Sequence, residues 1–303
     1  MTTTVDFRAP VLLAAGTSGF GIEVSGVVDL ERLGGFVTKS ITAEPRAGNA
    51  APRVTEFPAG MLNSIGLANP GVERARNEVL PQAIEHFADR TRIVVSVAGH
   101  TEEEYLHVVD RLESLTGFVA WELNLSCPND AQRGGAPFAL DREALTRVVS
   151  GARRLTERPI FAKLAPNDPN LPGTAETAAA AGADGITLTN TLPGRVFRPE
   201  GGVAIGAGQG GVSGPALRAV GVQAVAAVRG AVDLPIMGVG GVMNRADARQ
   251  YFEAGAELIQ MGTATFAEPR AAERVAGGFG PVSLTFGQKA SAATPETGGT
   301  AHE

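Results

Sequence analysis

The chain contains one cysteine, and it sits among amides: Asn124 lies three positions before Cys127 and Asn129 two positions after it. A lone thiol is most often a small buried hydrophobe, but a thiolate whose pKa is brought near the working pH can serve as a base. Two lysines, Lys39 and Lys163, each close an apolar run. An ammonium buried there would be costly without a charged ligand. Ser40 follows Lys39, Ser96 lies inside a third run, and Thr189, Asn190 and Thr191 close a fourth. Gly240-Gly241 and Gly262-Thr263 follow two further runs, and GGVSGP at 210–215 brings Ser213 and Gly214 to the start of a helical segment. Glycines in such places can offer backbone N–H groups to a phosphate, although glycine also serves ordinary turns. Two lysines, several amides, one thiol and paired glycines point to a polar site that takes a phosphorylated cofactor.

These residues fall into one pattern. Short β-rich runs at 11–16, 35–39, 93–98, 119–125, 160–164, 185–189, 235–239 and 258–262 alternate with helical patterns at 23–33, 71–88, 101–115, 141–156, 173–182, 215–230, 244–254 and 268–277. Thr101, Asp141 and Asn244 stand where helix N-caps belong, and Ala254-Gly255 marks a helix end. Strands alternating with helices imply parallel pairing through right-handed crossovers. Eight such units predict a closed (β/α)8 (TIM) barrel, a single domain over 1–290, with the site at the C-terminal ends of the strands. The runner-up, an open doubly wound sheet, would want a G-x-G-x-x-G turn, and GTSGFG at 16–21 does not have that spacing. The tail at 291–303 is rich in Thr, Gly and Ala and is expected to be disordered.

Composition narrows the function. Hydrophobic residues make up 44% and charged residues 19%, enough for a sizeable core. The balance of 26 Lys+Arg against 32 Asp+Glu gives a net charge of −6, which offers no basic field for nucleic acid. A single cysteine forms neither an internal disulfide nor a cysteine-based zinc site. His86, His100 and His107 have no metal-ligand spacing, so no metal is expected, and Trp121 reads as packing. No apolar run is long enough for a membrane span, and the expected location is the cytoplasm.

The motifs together resemble the class 1 dihydroorotate dehydrogenases, over about residues 10 to 270. ELNLSCPN at 122–129 is similar to the family's active-site strand and loop. GMLNSIGLANPG at 60–71 looks like the substrate loop of the class 1B branch. PRAGNAAPR at 45–53, NTL at 190–192, GGVSGP at 210–215 and GVGG at 238–241 follow in family order. The class 2 branch uses a serine base and an N-terminal membrane segment, and neither is present.

The resemblance implies FMN as cofactor and oxidation of dihydroorotate to orotate, a step of pyrimidine biosynthesis. Cys127 would be the general base. Lys39, Asn63, Ser64, Ile65, Gly66, Leu67, Asn124, Asn129, Asn190 and Thr191 would contact substrate. Ala15, Gly16, Lys39, Ser40, Ser96, Asn124, Lys163, Thr189, Ser213, Gly214, Gly240, Gly241, Gly262 and Thr263 would contact FMN. Residues 128–138 would close over the substrate. The resemblance also implies a homodimer and an electron-transfer partner subunit carrying FAD and a 2Fe–2S cluster, since one cysteine cannot hold such a cluster. Ala15 stands where the family usually has Ser, Ser96 where it usually has Asn, and the segment after Phe266 is shorter. The alternatives are an FMN barrel acting on another dihydropyrimidine or enone-like substrate, and a non-catalytic barrel keeping only flavin or a partner surface.

Overall fold

A computed structural model describes residues 2–125 and 138–287. Its strands, in chain order, are β1 (Thr3–Phe7), β2 (Val11–Leu13), β3 (Gly35–Val37), β4 (Val54–Phe57), β5 (Gly60–Asn63), β6 (Arg92–Val97) and β7 (Ala120–Asn124). They continue as β8 (Ile160–Lys163), β9 (Gly185–Leu188), β10 (Leu192–Gly194), β11 (Gly210–Ser213), β12 (Ile236–Val239), β13 (Leu258–Met261) and β14 (Val282–Phe286). Eight of them close a parallel barrel in the order β12-β13-β2-β3-β6-β7-β8-β9. All eight predicted runs are barrel strands, within a few residues at their ends. Helices at Glu102–Glu113, Arg142–Leu155, Leu171–Ala180, Arg218–Arg229 and Arg245–Glu253 lie between them. The Thr101, Asp141 and Asn244 side chains accept hydrogen bonds from N–H groups of their first turns, as predicted.

Strand alternation sorts the barrel interior into layers. Leu12, Val37, Val94, Ala120, Phe161, Met237 and Leu258 form an apolar cluster with Val5, Phe7, Leu284 and Phe286. The last four come from β1 and β14, which pair antiparallel and stop the N-terminal end of the barrel. Two residues further along, the same strands carry Ser96, Glu122, Lys163 and Gln260, all buried. The outer faces of the strands pack against the helices in a second, larger cluster that includes Trp121, Tyr105 and Tyr251.

Several expectations are corrected. Residues 23–33 form turns and one short 3-10 helix, Leu30–Arg32, rather than an α-helix. Gly26 and three valines make that stretch a poor helix former, and the Asp29 side chain caps the short turn instead. The last predicted helix, 268–277, is shorter, Ala271–Ala276, and a separate short helix, Ala264–Ala267, precedes it. Pro269 disfavours helical backbone at Glu268, which is extended. The helix predicted at 71–88 contains a π-helical stretch, Ala75–Val79, ahead of Pro81. Pro81 lacks the N–H that a regular α-helical turn would use.

Two further elements have no counterpart in the predicted pattern. One is the β1–β14 pair. The other is a four-stranded antiparallel sheet in the order β10-β11-β5-β4, so the segment read as a substrate loop begins as a strand. Residues 126–137 and 288–303 lie outside the described residues, and with them Cys127, Asn129, most of the predicted closing loop and the predicted disordered tail.

Candidate active site

The C-terminal ends of the barrel strands gather the predicted polar residues. Asn124 ends β7, and its backbone carbonyl is held by the Tyr105 hydroxyl at 2.6 Å. Its side chain sits between two others: Asn190 Nδ2 donates to Asn124 Oδ1 at 3.2 Å, and Asn124 Nδ2 donates to Ser40 Oγ at 3.4 Å. Ser40 Oγ lies 2.9 Å from Ser96 Oγ. Four strands therefore share one chain of amides and hydroxyls. Lys39 is half-buried beside Gly16, where an added Cβ would come 3.5 Å from the lysine Nζ. Ala15, Asn190 and Thr191 are also partly open to solvent, so the mouth is accessible.

The antiparallel sheet continues from this mouth. Asn63 Nδ2 donates to the Gly211 carbonyl at 3.1 Å, and a Cβ on Gly211 would meet Thr191 Oγ1 at 1.9 Å. Gly211 is thus the contact through which β5 and the end of β9 approach one another. Residues 64–67 are tied to the 46–53 segment. Asn49 Nδ2 donates to Ser64 Oγ at 2.7 Å, Asn49 N to the Ile65 carbonyl at 3.0 Å, and Arg46 Nε to the Gly66 carbonyl at 3.4 Å. Gly66 (φ 72°) and Leu67 (φ 54°) both lie in left-handed backbone, which turns the segment sharply.

The glycines converge at a third place. A Cβ on Gly241 would lie 2.7 Å from both the Arg218 amide nitrogen and the Gly214 carbonyl oxygen. A Cβ on Gly214 would lie 2.9 Å from Gly60 Cα and 3.4 Å from Thr263 Cγ2. The end of β12 and the turn after β11 therefore meet with backbone against backbone, and the end of β13 adds the Thr263 side chain. Tyr251 braces this cradle, donating its hydroxyl to the Gly240 carbonyl at 2.6 Å. Burial, reinforced by Asp247 and opposed by Arg218, pushes the Tyr251 hydroxyl well above the usual phenol range, so it stays a donor. Asp247 also accepts from the Met243 N–H at 3.0 Å and pairs with Arg218. Gly262 packs near Thr17 and Ala14, whereas the Ser213 hydroxyl is used within the sheet, donating to the Met61 carbonyl at 3.3 Å.

A model of the family described as dihydroorotate dehydrogenase matches residues 2–281. The chain belongs to the dihydroorotate dehydrogenase family. It is 43% identical over 274 residues to the dihydroorotate dehydrogenase B (NAD(+)) catalytic subunit of Desulforudis audaxviator, covering 89% of this chain and 87% of that one. The subunit of the same name from Cutibacterium acnes is 39% identical over 279 residues, covering 92% and 90%. A Solibacter usitatus protein, provisionally named dihydroorotate dehydrogenase A (fumarate), is 42% identical over 277 residues, covering 90% and 88%.

Dihydroorotate dehydrogenases are FMN-dependent, and the residues present fit that group. The backbone cradle at Gly214 and Gly241 would be filled by any Cβ, as a phosphate-binding turn requires. The buried Thr189 hydroxyl has no partner among the described residues. Lys163 and the Ser40–Ser96–Asn124 chain would supply polar donors for a heteroaromatic edge.

Sequence reasoning assigned no role to Glu122, Thr187, Gln260, Tyr105 or Tyr251. Glu122, Thr187 and Gln260 were visible as polar residues inside otherwise largely apolar strands, the pattern of a polar layer in a barrel lumen. Trp121 packs as predicted: it is fully buried, and its Nε1 lies 3.2 Å from Thr156 Oγ1. No described helix is long and apolar enough to cross a membrane.

Proposed function

We propose that the chain is the catalytic subunit of an FMN-dependent dihydroorotate dehydrogenase, oxidising dihydroorotate to orotate in the cytoplasm. The observation that carries this reading is the joining of Asn124, Asn190, Ser40 and Ser96 in one hydrogen-bonded chain at the barrel mouth, in a chain of this family. Bound FMN would supply the acceptor for the hydride leaving substrate C6.

The protein's own residues have the remaining tasks. Cys127, three positions beyond Asn124, takes the C5 proton. Asn124, Asn190, Asn63 and Asn129 hold the imide-bearing ring through neutral amides, which orient it without imposing charge. Lys39 and the backbone about Gly66 meet the substrate carboxylate, and Ser64, Ile65, Leu67 and Thr191 shape the adjoining wall.

For the cofactor, Gly214, Gly240, Gly241, Gly262 and Thr263 would hold the phosphate. Ala15, Gly16, Lys39, Ser40, Ser96, Asn124, Lys163 and Thr189 would contact the ring system, and Ser213 would lie beside the phosphate. Lys163 is suited to stabilise negative charge on the reduced ring. Tyr251→Phe is expected to weaken FMN retention about 2–10-fold, the worth of one neutral hydrogen bond, with the rate unchanged at saturating FMN. Flavin release during gel filtration measures this.

The class 1B names of two relatives support an electron-transfer partner carrying FAD and a 2Fe–2S cluster, with NAD as final acceptor, on a homodimeric core. The test of the activity is orotate formation with an artificial dye as acceptor, run beside dihydrouracil, which lacks the carboxylate. Orotate formation with no turnover of dihydrouracil supports the reading; preference for dihydrouracil overturns the substrate assignment. NADH formation only after adding a candidate partner subunit supports the partner model, and efficient turnover with fumarate alone replaces it.

A further inference from the structure

The most deeply buried charged group in the barrel has no part in the chemistry above. Glu122 is fully buried at the middle of β7, one inward-facing position below Asn124. Its carboxylate accepts three hydrogen bonds. Lys163 Nζ donates to Oε1 at 3.2 Å, while Thr187 Oγ1 and Gln260 Nε2 donate to Oε2 at 3.2 and 2.6 Å. Lys163 is itself only 5% exposed. A carboxylate placed this deep is expensive unless it is paired and hydrogen-bonded, and β7, β8, β9 and β13 each contribute one member of the arrangement.

We propose that Glu122 is a positioning residue that, through Lys163, lowers the electron affinity of the bound flavin. The pair would present the cofactor with a short dipole instead of a bare cation, with most of the Lys163 charge cancelled by Glu122. The inference rests on the FMN reading above and deepens it. Reduction places negative charge on the flavin, so a full uncompensated positive charge beneath the ring would make the flavin a stronger oxidant. A neutral pair keeps the potential low enough for electrons to pass onward.

The test is the midpoint potential of bound FMN, measured by equilibration with reference dyes, in Glu122→Gln, Lys163→Met and the double variant. Glu122→Gln keeps the shape and removes the charge. Gln260 Oε1, which has no partner among the described residues, can receive the new amide N–H if the Gln260 amide turns over. By Coulomb's law at a protein-like dielectric constant, Glu122→Gln should favour reduced flavin by about tenfold or more, an upward shift of ~30 mV or more for a two-electron couple. Lys163→Met should shift the potential downward. The double variant, again neutral, should return to within about threefold of wild type, and it remains informative if either single variant fails to fold. A Glu122→Gln potential equal to wild type, or a double variant displaced as far as either single one, overturns the inference. Wild-type protein that binds no FMN overturns the cofactor reading, and this inference with it.

Discussion

Cys127→Ala is expected to slow flavin reduction by dihydroorotate about 10²–10⁴-fold, the usual contribution of a general acid–base group, while leaving FMN bound. The C5 proton is weakly acidic, and the alanine methyl cannot accept it. Asn124 and Asn190, which are hydrogen-bonded to each other, would still hold the ring, so substrate affinity should change far less than rate. Cys127→Ser should recover only part of the loss, because an alcohol is a weaker acid than a thiol and forms its conjugate base less readily. Stopped-flow reduction of the FMN-loaded variants measures each rate directly. A Cys127→Ala rate within about threefold of wild type would remove Cys127 from the chemistry.

Gly241→Val is expected to abolish FMN retention. Gly241 has φ 67°, and a Cβ there would come 2.7 Å from two backbone atoms, the Arg218 nitrogen and the Gly214 oxygen. Backbone cannot swing aside as a flexible side chain can, so the cradle must open. Losing several charge-assisted hydrogen bonds to a phosphate should weaken binding about 100-fold or more. Gly208→Ala is the control, since Gly208 has a similar φ of 77° but no atom within 4 Å of an added Cβ. It should copurify with a normal flavin content. Equal flavin content in both variants, with normal circular dichroism, would move the phosphate away from this turn.

The barrel was legible because its signal is local. Each strand is a short apolar run buried on both faces, and several of the following helices announce themselves by a cap, such as Thr101, Asp141 or Asn244. The polar residues at the strand ends were legible for the same reason. What sequence reading missed depends on partners distant in the chain. β1 pairs with β14 across almost the whole chain, and β5 pairs with β11 after about half of it. Neither Thr3–Phe7 nor Gly210–Ser213 carries a turn signal naming its partner. The 23–33 segment misled because Val24, Val27 and Val28 have the i, i+3, i+4 spacing of a helix, whereas the backbone there runs through turns. Glu122 was quoted within a motif, yet its role emerges only when β8, β9 and β13 bring Lys163, Thr187 and Gln260 to it.

The Arg46, Asn49 and Ser64–Leu67 contacts show how a segment without regular structure is still fixed. Each backbone group named there is held by a side chain or amide from the facing segment. Such a wall would distinguish substrates by shape as well as charge, and Lys39 would add the electrostatic requirement for a carboxylate.

The most direct test is an anaerobic titration of the FMN-loaded protein with dihydroorotate, followed by visible absorption. The predicted result is stoichiometric bleaching of the flavin band with release of orotate, and recovery of the band on admitting an oxidant. A protein that holds FMN and can be bleached by dithionite, but stays oxidised in excess dihydroorotate, would contradict the account.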